Sequence, residues 1–320
     1  MENDQLLDMF LDHQGEYLSG EEISKRLGIS RTAVWKQINK LRKQGYDFEA
    51  VSRKGYRLVH QPDKLKHLDV VKALQGCQYG EQLKLLETTT STQEEIRIWA
   101  EQGADNGALI IAEEQTRGRG RQGRRWLSLP GKGVWMSLLL KPELPLADAS
   151  RLTLLTAVAV CRALRGVTGL EIGIKWPNDL LINGKKICGI LVESAGEDGK
   201  IRYCVVGIGI DVNMETQDYA EELSHRATSL KIEGNQNYDR AVIIGAVMKE
   251  MEFLMTSFLE QGFSTIANLW EALSVTLGKT ITVKTHQGEI IGVAEELDAS
   301  GALMLRKPDG NIEIVYSGEI

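Results

Sequence analysis

The sequence predicts an α+β chain of several domains: a winged helix-turn-helix, then a central domain of apolar strands with helices, then a small β-barrel. Three observations carry this. Residues 20–44 hold two short helical patterns around a glycine turn, followed by two short strands. Strand-length apolar runs alternate with an apolar helix and glycine turns between Ala108 and Val212. Beyond Gly278 the apolar period changes to two, which is the period of strands and not of helices.

The first helix is a short amphipathic stretch from Gln5 to Leu11. Ser19-Gly20-Glu21-Glu22 reads as an N-cap with acids in the first turn, so a second helix runs from Glu21 to Leu27. Gly28 breaks it, and Ser30 caps a third helix, Arg31 to Gln44. Val34, Ile38 and Leu41 fall at core spacing there, leaving Arg31, Thr32, Lys36, Gln37 and Lys40 outward. Gly20 to Asn39 therefore carries the helix-turn-helix, a form in which a polar basic helix enters the major groove. Phe48 to Val51 and Gly55 to Leu58 are two strands around Ser52-Arg53-Lys54, and they make the wing. The net charge is -6, yet Lys25 to Arg57 holds ten Lys/Arg against Asp47 and Glu49. A basic segment in an acidic chain suits nucleic acid, with Arg53 and Lys54 reaching phosphates. The alternative is a helical interaction domain with a solvated basic face.

Periodicity is lost from His60 to Lys66, which includes Pro62, and a linker is placed there. Boundaries follow at 1–60, 66–273 and 274–320. Within the second domain, Glu87 to Gln93 is a cluster of hydroxyls before the helical stretch Glu94 to Gln102. Ser91 or Thr92 could cap that helix, or the cluster could hold a neutral polar ligand group. The most distinctive stretch is Arg117-Gly118-Arg119-Gly120-Arg121-Gln122-Gly123-Arg124-Arg125-Trp126. It lies between the strand patterns 108–112 and 133–140, so it is held at both ends. Glycine lets the backbone approach a ligand, and guanidinium forks match phosphate and carboxylate oxygens. The other reading is a mobile Arg-Gly segment that touches RNA.

Ser150 to Leu164 is an apolar helix. Ile172 to Lys175 is a strand that runs into Trp176-Pro177-Asn178-Asp179, and Lys175 at its end meets either an anionic ligand or a structural acid. Asp179 to Ile182 and Lys186 to Glu193 form a hairpin about Asn183-Gly184. Ile201 to Val212 is a strand in which Gly207 and Gly209 alternate with isoleucine, marking a flat ligand or a tight packing contact on one face. Asp239 to Gln261 and Ser264 to Leu273 are amphipathic helices. Four strands follow, at 280–285, 289–297, 302–307 and 311–316, with turns at Gln287-Gly288, Ser300-Gly301 and Asp309-Gly310.

At 320 residues, 42% hydrophobic and 26% charged, the chain has material for two or three packed domains. No apolar run reaches a membrane span, and Met1-Glu2-Asn3-Asp4 lacks a signal-peptide start, so a cytoplasmic protein without membrane partners is expected. The four cysteines are widely spaced and the five histidines scattered, which argues for reduced thiols and against a cysteine or histidine metal site.

In this order, Ser91-Thr92-Gln93, Gln115, the loop from Gly118 to Trp126, Lys175-Trp176-Pro177-Asn178-Asp179, the stretch from Gly184 to Glu193 and that from Gly207 to Asn213 resemble the biotin protein ligases. With the winged helix in front, the chain is similar to the bacterial bifunctional form, biotin ligase and biotin operon repressor, along its whole length. The resemblance implies a central mixed sheet related to class II aminoacyl-tRNA synthetases and an SH3-like terminal barrel. It implies two reactions: biotin and ATP, with Mg²⁺, give biotinyl-5'-AMP and pyrophosphate, and a lysine of a biotin carboxyl carrier protein domain then takes the biotinyl group. Implied partners are that carrier domain, from acetyl-CoA carboxylase or a related carboxylase, the operator DNA of biotin genes, and a second copy of the chain when loaded with biotinyl-5'-AMP.

Carried over by residue, Ser91, Thr92, Gln93 and Gln115 hold the biotin head group, Gly118, Arg119 and Gly120 close over it, and Gly189, Gly207 and Gly209 underlie it. Arg119, Arg121 and Lys175 meet the carboxylate and phosphates and form the catalytic set. Asn178, Asp211, Asn213 and Arg240 fall to ATP and its Mg²⁺. Two departures stand out. The family usually has Asn where this chain has Asp211, and the adenine-stacking Trp of some members has no counterpart near Arg226 to Leu230. Three alternatives remain: a ligand-sensing winged-helix repressor without ligase activity, a lipoate-type ligase, and a ligase whose winged helix has lost operator recognition.

Overall fold

The computed structural model describes residues 2–13, 15–43, 46–60, 64–286 and 288–320, which fall into two compact units, Met1–Lys64 and Leu65–Ile320. Three expected features touch other positions and lie outside the described residues: the helix end at Gln44, the linker around Pro62, and Gln287 of the first terminal turn.

In the first unit, α1 (Glu2–Asp12), α2 (Gly20–Leu27) and α3 (Arg31–Lys43) precede the antiparallel pair β1 (Asp47–Val51) and β2 (Gly55–His60). Capping sets the helix starts. Ser19 Oγ accepts from Glu22 N at 3.1 Å and Ser30 Oγ from Ala33 N at 3.2 Å, while Gly28 ends α2 at a φ of 66°. Leu6, Phe10, Ile23, Val34, Ile38 and Leu41 close the core. Tyr56 pairs by main chain with Leu18, and a Cβ on Gly55 would stand 2.1 Å from the Leu18 oxygen, so the root of the wing accepts only glycine. Arg31, Thr32, Lys36 and Lys40 are exposed. Gln37 departs from expectation: it is half-buried, with Oε1 enclosed and unbonded, because the α3 stripe is wider than three residues. Trp35, absent from the expected reading face, is 53% exposed there.

The second unit opens with α4 (His67–Ala73) and β3 (Leu83–Thr89), neither of which periodicity revealed. There follow α5 (Thr92–Glu101), β4 (Leu109–Gln115), β5 (Gly133–Leu140), α6 (Ala149–Thr168), β6 (Gly173–Lys175), β7 (Asp179–Ile182), β8 (Lys185–Glu197) and β9 (Lys200–Asp211). Short helices α7 (Glu221–Ser224) and α8 (Leu230–Gly234) lead to α9 (Arg240–Gln261) and α10 (Ser264–Leu273). The sheet order is β3-β4-β5-β9-β8-β7-β6, with β3 and β4 parallel and the other pairs antiparallel. It is a mixed sheet.

Strand alternation assigns its two faces. Val134, Met136 and Leu138 of β5 and Cys204, Val206, Ile208 and Ile210 of β9 pack with α6 and α9 in the main core. Leu139, Tyr203 and Val205 turn the other way, onto Ile96 and Ala100 of α5. Gly207, Gly209 and Asp211 share the parity of Val205, so they lie on the α5 face beyond the end of that helix. The Asn183-Gly184 turn has φ of 50° and 78°, positive at both centres as a tight hairpin of this type requires.

The strands β10 (Thr280–Thr285), β11 (Gly288–Leu297), β12 (Leu303–Arg306) and β13 (Ile312–Val315) form an antiparallel meander in sequence order. Beyond β13, Glu319 pairs with Lys284 on the free edge of β10, which curls the meander back on itself. Val283, Leu303 and Leu305 join the main core of the central sheet. All four cysteines are buried and unpaired, and burial pushes Cys161 up to about 11 and Cys77 and Cys204 up to about 12. Among the described residues no helix is long and apolar enough to cross a membrane.

Candidate active site

Gly207, Gly209 and Asp211 of β9, with Gly189 and Leu191 of β8 beside them, floor a cavity of about 280 Å³. Four strand residues span roughly 13 Å, so the floor has distinct ends.

At the Gly207 end the hydroxyl cluster meets the floor. Thr92 N and Oγ1 both donate to Gln115 Oε1, at 2.9 and 3.1 Å, and Gln115 Nε2 donates to Ser128 Oγ at 2.8 Å. Gln93 is committed to the sheet: Nε2 donates to the carbonyls of Leu191 (3.3 Å) and Val205 (3.2 Å), and Oε1 accepts from Ser137 Oγ at 3.1 Å. A Cβ on Gly207 would lie 2.4 Å from that Oε1. Ser91 stands at the N-cap of α5, as the helix-capping alternative has it, but its side chain makes no capping bond. Ser91 Oγ is buried, unbonded and on the cavity wall, where an enclosed hydroxyl needs a partner.

The arginine loop forms the roof. Trp126 N donates to Gly118 O at 2.9 Å and Gly120 N to Arg124 O at 2.8 Å, closing a compact turn with Gln122 at a φ of 56°. The Trp126 ring lies flat on the glycine floor: a Cβ would stand 2.5 Å from its Nε1 at Gly209 and 2.8 Å from its edge at Gly189. Of the two readings of the glycine stripe, the packing contact is the one present: Trp126 covers Gly189 and Gly209, and Gln93 covers Gly207. The loop arginines reach three different elements. Arg119 pairs with Glu193 of β8 at 3.0 Å, Arg121 donates to Asn178 Oδ1 at 2.9 Å, and Arg124 pairs with Glu319. Burial pulls the Arg121 guanidinium below its ordinary value.

Two lysines enter the same space. Lys175 Nζ donates to the Ile320 main-chain oxygen at 2.6 Å. Lys186 pairs with Asp179 at 2.7 Å and lies 5.2 Å from the Trp126 ring centre. Asp211 is buried, and desolvation raises its carboxyl to about 8. The Tyr219 hydroxyl, which donates to Thr228 O at 2.8 Å and to Asp211 Oδ2 at 3.1 Å, and the Lys186 charge partly offset that rise.

Of the expected site residues, three fall elsewhere. Arg240 is fully buried in a two-pronged pair with Glu113, at 3.0 and 3.3 Å, and donates to Gly133 O. It staples α9 to the sheet, because the start of that helix is packed beneath β5. Asn213 exchanges hydrogen bonds with the Tyr238 main chain at 3.0 Å. Gly118 is buried behind the loop, where a Cβ would stand 2.4 Å from Trp126 O. The other candidates, Ser91, Thr92, Gln93, Gln115, Arg119, Gly120, Arg121, Lys175, Asn178, Gly189, Gly207, Gly209 and Asp211, line the cavity.

Along its length the chain is 41% identical to the bifunctional ligase/repressor BirA of Bacillus subtilis, over 98% of this chain and 97% of that protein. The chain belongs to the bifunctional ligase/repressor BirA family. Its Escherichia coli member is 32% identical over 96% of this chain and 93% of its own. Three sequence profiles match in succession: an HTH domain at 3–57, the biotin/lipoate A/B protein ligase family at 84–211 and the biotin protein ligase C-terminal domain at 276–320. The fold matches the biotin protein ligase of Aquifex aeolicus solved in complex with biotin and ATP, with a TM-score of 0.65 and 31% identity over 75% of this chain and 97% of that one.

For this BirA-family member the sequence reading assigned Arg124, Trp126 and Lys186 no individual role beyond the stretches that contain them and did not point to the tail Gly318 to Ile320, yet all line the cavity. Lys186 had only a weak signal, as the second of two lysines that open an otherwise apolar strand. The tail had none, since only the curl of the terminal sheet brings it there.

Proposed function

We propose that the chain joins biotin to a lysine of a biotin carboxyl carrier domain, by way of biotinyl-5'-AMP, and that its winged helix represses biotin genes. The observation that carries the ligase is one cavity with a free buried hydroxyl at one end, a glycine-and-tryptophan middle, and Arg121, Lys175 and Lys186 around it. Such a space suits a molecule with a neutral hydrogen-bonding head, an apolar stem and an anionic tail.

The ureido head bonds Ser91, with Thr92 and Gln115 behind it, and the stem lies along the Trp126 ring that covers Gly209. The carboxylate and the ATP phosphates meet Arg119, Arg121, Lys175 and Lys186, whose charge offsets the repulsion of anion against polyanion. A carboxylate oxygen forms a bond to the α-phosphorus while the bond to the bridging oxygen breaks, and pyrophosphate departs with that electron pair. In the second step the carrier lysine's neutral ε-amine attacks the acyl carbon and AMP leaves; the ammonium proton passes to water. Orientation of two bound partners supplies most of the rate, and no covalent enzyme intermediate is required. Mg²⁺ screens phosphate charge when bound. Asn178 and Asp211, which line the cavity, would be the polar groups to hold it if it entered with ATP.

The domain division at 1–60, 66–273 and 274–320, a cytoplasmic location, and a dimer loaded with biotinyl-5'-AMP on two operator half-sites belong to the same reading. The test mixes the protein with ATP, Mg²⁺, biotin and an acceptor domain and follows that domain's mass. A gain of one biotinyl group is expected; no gain from folded protein, with no biotin-dependent pyrophosphate exchange, rejects the ligase. Salt-dependent binding to DNA upstream of biotin genes tests the repressor.

A further inference from the structure

The cationic part of the cavity already contains an acid, delivered by the end of the terminal sheet. Glu319 is fixed by its main chain: Lys284 N donates to Glu319 O at 2.8 Å, and Glu319 N donates to Lys284 O at 3.0 Å. Gly318 before it sits so tightly on β10 that a Cβ would stand 2.4 Å from Val283 Cγ1. The backbone therefore aims the carboxylate, and it accepts from both Nη1 and Nη2 of Arg124. The next residue, Ile320, turns its main-chain oxygen to Lys175. Arg124 holds the Glu319 carboxyl below the usual range, and Lys175 and Lys284 add to the effect. Glu319 and Ile320 thus engage two cations of the space that a carboxylate and a triphosphate would enter.

We propose that Glu319 is a resident counter-ion of the nucleotide site: it pairs with Arg124 and yields that guanidinium to nucleotide phosphates. The proposal rests on reading the cavity as a site for ATP. The exchange favours the nucleotide because the Arg124 and Glu319 side chains are 60% and 40% exposed, and a pair so wet is weak. A triphosphate brings several charges and more than one acceptor per guanidinium. Glu319 is a positioning residue in this scheme, acting through Arg124, and nucleotide binding releases the tail from the arginine loop.

The experiment measures the dissociation constants of a non-hydrolysable ATP analogue and of biotin by calorimetry on full-length protein. Glu319→Gln keeps the main-chain pairing and removes the charge. It is expected to tighten analogue binding by about threefold to tenfold, as loss of a half-exposed ionic competitor implies, and to leave biotin binding unchanged. Glu319→Asp, which withdraws the carboxylate by one methylene, moves the same way by less and serves if the glutamine variant does not fold. In an Arg124→Gln background the gain from Glu319→Gln disappears. Unchanged or weaker analogue binding in folded Glu319→Gln overturns the proposal, as does an undiminished gain without Arg124. If the wild-type protein binds no analogue and shows no biotin-dependent pyrophosphate exchange, the ATP reading itself has failed, which is a separate result.

Discussion

Replacing Asp211 by Asn keeps the outline of a carboxyl group and removes its ionisation. In the folded chain burial raises that group from 3.8 to about 8, so in this window the unfolded chain has lost the proton while the folded chain still holds it. Stability then falls as pH rises, by about 1.4 kcal/mol per unit at the limit, and the slope ends above the folded value. Below the unfolded value both states are protonated and the contribution is complete. Between about pH 5 and pH 9 the ceiling is about 4 kcal/mol, and relaxation with water entry brings the expected loss to about 2–3 kcal/mol. Urea unfolding of wild type and Asp211→Asn at both pH values reads this directly. The variant should match or trail the wild type in acid and overtake it in base by that margin. Parallel stability curves would refute the argument, and with it the burial-raised Asp211 carboxyl.

Three further outcomes follow from the same geometry. Gly209→Ala sets a methyl 2.5 Å from Trp126 Nε1; it should lift the ring from the floor, cost about 1–3 kcal/mol in a thermal or urea melt, and weaken biotin binding by about tenfold or more. Lys186→Ala should slow pyrophosphate exchange by about 10²-fold with the fold intact, and near-normal exchange would remove that lysine from the chemistry. Arg121→Gly breaks the tie to Asn178 and should let the adenylate escape, read as acceptor-independent labelling of added protein lysines; full retention contradicts the tie.

Local patterns exposed much of this fold. Ser19, Gly28 and Ser30 mark helix ends through contacts a few residues long, and Asn183-Gly184 makes a turn that little else in the chain could make. The alternation along β9 placed Gly207 and Gly209 on one face without any knowledge of what covers it. What was hidden depends on contacts distant in sequence. Arg240 at the first turn of a helix looks available to solvent, and only Glu113 on β4 explains its burial. Leu83 to Thr89 alternates poorly because β3 is an edge strand with one partner. The tail's approach to Arg124 spans almost two hundred positions, and no periodicity reports on such a contact.

The four thiols, enclosed and held well above neutral pH, have a practical use. A cysteine introduced at an exposed site such as Arg119 or Trp35 will be the one reactive sulfur toward a maleimide in the folded chain, since reaction needs an accessible thiolate. Spectroscopic labels can therefore be placed on the roof or on the DNA-reading helix without first stripping the native cysteines. Cys188 and Cys204, left as they are, become timers: the rate at which they are modified measures how often the central sheet comes apart.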